Sequence, residues 1–370
     1  MSQAEFDKLR ERIEYLENNQ KNLLDISEEP KPKVNSFLND NLTIGGFYDG
    51  GFTFLSGPDT ETQLTTSSNI VGLNFSASFD RKLRFVSQFV TALQANLENR
   101  HNDPNATTLG LPKTREFSAL SSGIVPTQAY VEYSISRMLN FQGGMGYVPF
   151  GFVLQVREPV LFVRRGAPQF VRSPNIVPPL WSGLNIHGSK SLEVMDFGYN
   201  LYTFQPYNHT KFIGTGGRVW FSTKDDKIIG GLSTQLSKND EETYEVLGAD
   251  LRLDFFPYQL RTEIAQVFQR GQDSWTTYFE PGVFVYNEEI LLYVFGDYLY
   301  GANNETGGGR NRLSDPIQRL DYGGGINWLP TSYTRLRLGL TYSDYQGNRA
   351  VINRVNRDYL TVDLSAGVAF

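Results

Sequence analysis

The chain predicts an all-β transmembrane barrel of about sixteen antiparallel strands, preceded by a short N-terminal α-helical coiled coil. Three observations carry the barrel. From Leu42 onward the apolar residues recur every second position. No apolar run exceeds about seven residues, far short of the ~18–20 that a membrane-spanning helix needs. Connections between the alternating segments are short and long in turn, as expected of a membrane barrel with one tight rim and one loop-bearing rim.

Residues 1–26 read as the coiled coil. Phe6, Leu9, Ile13, Leu16 and Leu23 recur at spacings of three and four, with Gln20 in the remaining slot. Glu5 and Arg12 fall at g and Arg10 and Glu17 at e, so opposite charges face each other between helices. A single amphipathic helix lying against the barrel is the alternative, although a helix this short is marginal alone in water. Residues 27–40, with Pro30 and Pro32 among mixed charges, read as an extended linker.

Residues 41–370 make up the barrel. Strands are expected at about 41–54, 69–79, 83–95, 127–136, 140–149, 182–189, 195–206 and 215–224, then 227–237, 243–254, 258–270, 274–287, 288–300, 316–328, 334–346 and 357–370. Short turns fall near 80–82, 137–139, 190–192, 225–226, 256–258, 287–288 and 330–332. Longer connections fall at about 55–68, 96–126, 150–181, 207–214, 301–315 and 347–356, while those near 238–242 and 271–273 are tight. Phe79, Tyr133, Phe141, Phe197, Phe255 and Trp328 share the parity of the aliphatic residues and lie beside the short turns. Amphipathic aromatics at one level form an interfacial girdle. The last strand alternates Leu360, Val362, Leu364, Ala366, Val368 and Phe370 with smaller or polar residues.

Composition excludes several classes. Aromatics are 14% of residues, yet the mean hydropathy is −0.35, so the apolar residues are diluted by alternation and not gathered into runs. With 0 cysteines there are no disulfides, thiolate metal sites or cysteine nucleophile. A formal net charge of −6 argues against nucleic acid as a partner. The segment Met1 to Lys8 is polar and shows no leader, so an exported chain would begin here at a processed terminus. No cofactor is expected, and no enzyme chemistry. His101 and His209 fall in expected loops and His187 at inward parity, with no serine or acid partners of a hydrolase at the outer face. Gly214-Thr215-Gly216-Gly217 precedes a strand where a dinucleotide loop would follow one, and Gly323-Gly324-Gly325 lies within a strand, allowing bending or close approach.

Three segments carry a resemblance. Ala129-Tyr130-Val131-Glu132-Tyr133, a turn, and Gly143-Gly144-Met145-Gly146-Tyr147-Val148-Pro149-Phe150-Gly151 resemble a segment of the phosphate-selective (O/P-type) porins of Gram-negative bacteria. The coiled coil resembles theirs and that of the dicarboxylate (DcaP-type) porins, and Arg12-Ile13-Glu14-Tyr15-Leu16-Glu17 resembles a trimerisation pattern. The terminal alternating strand ending in Phe370 resembles the signature read by the barrel-assembly machinery. The resemblance implies an outer-membrane homotrimer held among lipid and lipopolysaccharide, with the coil in the periplasm and Arg12, Ile13, Leu16 and Glu17 in trimerisation. It also implies ion transport, as passive diffusion of small anionic or polar solutes through a water-filled channel. The lysine-rich ladder of phosphate-selective members is absent. A non-conducting structural or adhesive barrel, plugged by residues 150–181, is the competing expectation.

The connection at about 150–181 falls between the fifth and sixth strands, where sixteen-stranded porins fold a third loop inward. It carries Arg157, Glu158, Arg164, Arg165 and Arg172 in a chain that is net negative. Guanidinium groups there would recruit anions by bidentate contacts; as ordinary outer-loop residues they would simply be solvated. Inward parity adds Arg84, Arg218, Arg252, Arg261, Arg319, Arg335 and Arg337, against Glu132, Asp250, Asp254, Glu263, Glu280, Asp321 and Asp363. Many of these should pair across neighbouring strands. The expected pore constriction is Arg157, Arg164, Arg165 and Arg172, with Arg84, Arg335, Arg337 and Glu132 on the wall.

Overall fold

A computed structural model describes residues 42–57, 60–79, 82–93, 124–152, 163, 168, 177, 180–204, 214–238, 243–269, 273–286, 288–302, 316–346 and 358–370. Sixteen strands run in chain order. The first six are β1 (Leu42–Gly57), β2 (Thr60–Ser78), β3 (Leu83–Leu93), β4 (Val125–Ser136), β5 (Leu139–Tyr147) and β6 (Leu180–Ser191). Next come β7 (Met195–Phe204), β8 (Gly214–Thr223), β9 (Ile228–Lys238), β10 (Thr243–Phe255) and β11 (Tyr258–Gln269). The last are β12 (Ser274–Tyr286), β13 (Ile290–Ala302), β14 (Pro316–Thr331), β15 (Thr334–Gln346) and β16 (Asp358–Ala369).

Each strand pairs antiparallel with its chain neighbours, and β1 pairs with β16 to close the barrel. Closure leaves no strand edge with unpaired backbone groups. Among the described residues no helix is long and apolar enough to cross a membrane, which says nothing of strands.

Period two explains how one sequence serves two environments. On β16 Leu364 and Val368, and after it Phe370, are exposed at 52%, 37% and 68%, while Ser365 at the opposite parity is buried. On β9, Leu232 and Leu236 face out, whereas Ser233, Gln235 and Ser237 are buried inside. The outer surface is therefore an apolar belt, and the packed core lies within the ring of strands. Phe79, Tyr133, Phe197, Phe255 and Trp328 are exposed on the outer face beside the short turns, at the level expected of a girdle. Those turns use ordinary chemistry. In the β8–β9 turn Asp226 takes a positive φ of 53°, and Thr223 Oγ1 donates to Asp225 Oδ1 at 2.7 Å. Asp tolerates this left-handed region better than most residues.

One connection differs from expectation. The stretch 55–68 is not a long loop: β1 and β2 stay paired through Phe52↔Thr66, Phe54↔Leu64 and Gly57↔Thr60. The polar run Thr60-Glu61-Thr62-Gln63 resembles loop composition, but Thr62, Thr65 and Thr66 are β-branched and suit a pleated strand. The Gly323–Gly325 run does serve close approach, because the Tyr293 hydroxyl lies 2.7 Å from where a side chain on Gly325 would begin. Residues 1–40, including the coiled coil and linker, lie outside the described residues.

Candidate functional site

The strand register carries polar side chains around the inner wall in rows. One row of directly paired residues runs Asp250, Glu263, Tyr278, Asp297, Asp321, Ser343 and Tyr359 across β10 to β16. All seven are buried. A buried charge needs a partner, since desolvation otherwise costs several kcal/mol. The wall supplies them. Arg218 grips Asp250 through both Nη atoms, Nη2 at 2.8 Å from Oδ2, and Nη1 also reaches Ser233 Oγ at 3.2 Å. Arg319 donates to both oxygens of Asp321 at 2.9 Å. Arg337 Nη1 lies 3.1 Å from both carboxylate oxygens of Asp49, across the barrel seam. Arg252 pairs with Asp254, and Arg261 with Glu280. Arg319/Asp321 and Arg252/Asp254 are two apart on one strand, the spacing that puts both side chains on one face.

The connection leaving β5 enters this space. Phe150 is fully buried among Trp181, Tyr202, Phe204, Val246, Ala265 and Val267. Its ring fills the place that a side chain on Gly248 would take. Gly151 has a positive φ of 60°, donates its N–H to Ser233 Oγ at 3.1 Å, and leaves no room beside Glu263 for a Cβ. Glycine meets the conformational demand and the steric one together. Further along, Val163 is 2% exposed in a nest of Tyr278, Leu291, Tyr293 and Phe295. Its carbonyl accepts from Asn327 Nδ2 at 2.7 Å. Those partners lie on β12 to β14, about half the circumference from β5. The contacts of these described residues fall on the inner face of β6 to β14.

The remaining sector, β15 through β16 and β1 to β4, holds the four wall residues predicted from sequence. Arg84 and Glu132 are direct partners across β3 and β4. Arg84 is exposed and donates from Nε to Ser76 Oγ at 2.8 Å. Glu132 accepts from Gln142 Nε2 at 2.5 Å and lies 3.4 Å from His187 Nε2; Gln142 in turn accepts from Asn185. Arg335 and Arg337 stand together on β15, with Arg335 in electrostatic reach of Arg261, Glu280 and Asp49. Between the two groups Asp363 accepts from Thr53 Oγ1 at 2.5 Å. The structure thus brings the predicted wall residues together as two pairs. Arg157, Arg164, Arg165 and Arg172 lie outside the described residues, as do Arg12, Ile13, Leu16 and Glu17.

Two buried carboxylates were not among the expected wall charges. Asp49 and Asp297 are 3% and 0% exposed and point inward. The signal was present as parity: Asp49 is out of phase with the apolar Tyr48, Phe52 and Phe54, and Asp297 with Leu292 and Val294.

No family model matches the chain. An uncharacterized protein of Aquifex aeolicus (strain VF5) is 28% identical over 153 residues, which is 41% of this chain and 30% of that relative's length. Among solved structures, the anion-selective porin from Comamonas acidovorans is similar with a TM-score of 0.60 at 10% identity, over 89% of this chain and 99% of that one. Salmonella typhi OmpF, in complex with daunomycin, gives 0.59 at 12% identity over 90% and 99%. Vibrio cholerae OmpT in its trimer form gives 0.55 at 9% identity over 90% and 100%. At these identities the likeness is one of fold: a closed sixteen-stranded antiparallel barrel.

Proposed function

We propose that the protein is a porin of a bacterial outer membrane, a passive channel for small hydrophilic solutes. One observation carries this reading: a closed barrel of sixteen strands whose outer face is apolar and whose inner face bears ion pairs, amides and hydroxyls. An apolar outside suits lipid, and sixteen strands leave an aqueous lumen. Phe150, Gly151 and Val163 on the inner wall support a connection that narrows the lumen. Arg84, Glu132 and Arg335 would line the passage, with Arg337 buried against Asp49 in the wall behind them, and Arg157, Arg164, Arg165 and Arg172 would favour small anions. The trimer form of the OmpT neighbour and the heptad around Ile13 and Leu16 support a homotrimer with its coil in the periplasm.

The burial of Asp49, Glu280, Asp321 and Arg337 inside the barrel favours a second reading, a filled lumen in a structural barrel. Purified protein added to a planar lipid bilayer separates the two. Discrete ohmic steps in KCl support the porin; a silent bilayer with correctly folded, heat-modifiable protein supports the filled barrel.

A further inference from the structure

On the porin reading, the inner wall carries a histidine–carboxylate pair beside the exposed Arg84. His187 on β6 faces Glu132 on β4 across the intervening β5, with Nε2 3.4 Å from Oε2, and the two side chains are 25% and 18% exposed. Nε2 is shielded from solvent, and the Glu132 carboxylate is the polar group it faces. Among the described residues, the other groups packed around it carry little charge. β5 and β7 present Asn140, Gln142 and Asn200, and β6 itself Asn185 and Ser189. β4 adds Tyr130, and β3 adds the exposed Arg84. Arg218 on β8 is tied to Asp250. Imidazole is the side chain whose charge ordinarily changes between about pH 5 and 8.

We propose that His187 is a specificity-determining residue, a proton-operated charge that sets how strongly the channel prefers anions. With the imidazole neutral, Arg84 and Glu132 offset each other and this sector is electrically balanced. The neutral ring has one N–H to turn toward the carboxylate; a second proton makes the ring a cation and the contact charge-assisted, and the trio becomes net positive. A permeating ion passing about 6 Å from one added charge in water changes its local concentration on the order of threefold.

The test is the reversal potential of single channels in a KCl gradient, at about pH 8 and about pH 5, for the wild type, His187→Gln and Glu132→Gln. The wild-type anion-to-cation permeability ratio should rise about two- to threefold on acidification. His187→Gln should lose most of that rise. Glu132→Gln, which removes the offsetting charge, should show at the higher pH a ratio close to that of acidified wild type. If His187→Gln keeps the full rise, or if conducting wild-type channels show none, the proposal is overturned while the porin reading stands. Should His187→Gln fail to insert, an unchanged ratio in Glu132→Gln at the higher pH overturns it independently. Absence of any conductance from wild type overturns both.

Discussion

Replacing Phe150 with Ala tests whether the connection after β5 limits transport. The ring is fully buried between the root of that connection and the β10–β11 wall. Removing a buried phenylalanine costs about 3–5 kcal/mol. Two hydrogen bonds also hold the described residues of this connection to the far wall: Gly151 N–H to Ser233, and Asn327 to the Val163 carbonyl. Each contributes about 1 kcal/mol net, so together they fall short of the lost packing. The strand ladder does not pass through Phe150, and barrel closure by β1 and β16 is untouched. The variant should therefore still close as a heat-modifiable barrel, less stable by up to that amount, while its single-channel conductance rises and its current noise grows. Both are read from one bilayer recording and one heating series on a gel. Wild-type conductance and noise in a correctly folded Phe150→Ala protein would refute the reasoning, because the connection would then not define the narrow part of the path.

Replacing both Arg164 and Arg165 with Ala should move the reversal potential toward cations, because the proposed constriction then lacks two of its positive charges. An ion within ~4 Å of one guanidinium gains on the order of 1–4 kcal/mol, so the shift should be several-fold in permeability ratio; an unchanged potential refutes a role for these residues in the path. Native mass spectrometry in non-ionic detergent should show a trimer, and Leu16→Asp should slow assembly more than it weakens the finished trimer, on the reading that the coil mainly guides assembly. A stable wild-type monomer would refute this.

Strand periodicity was legible throughout. Each of the sixteen expected strands overlaps its observed counterpart, because alternation between lipid-facing and lumen-facing positions leaves a mark at every second residue. The exception at 55–68 shows the limit of that signal. There polar residues stand at both parities of the sequence, so period two vanishes from it although the backbone pairing continues. The inward arginines and carboxylates were legible for the same reason. What could not be read was which wall the connection after β5 would meet. Phe150 over Gly248 and Val163 beside Asn327 join residues about a hundred positions or more apart, and no local pattern encodes such a match.

Counting charges from parity is also a poor guide to the field in the lumen. Asp49 and Asp297 tip an otherwise even wall toward negative, which alone would argue for cations. Yet Asp49, Asp250 and Asp321 are each locked to a guanidinium, and a close ion pair presents little net field to an ion beyond it. The charges that matter are those both accessible and imperfectly offset, such as Arg84, which is exposed on β3. Glu132 answers it from the next strand, and His187 decides how much of that answer remains. Selectivity in such a lumen is governed less by the total of fixed charges than by the few that stay accessible. That is why a single imidazole on β6 is expected to be felt in the reversal potential.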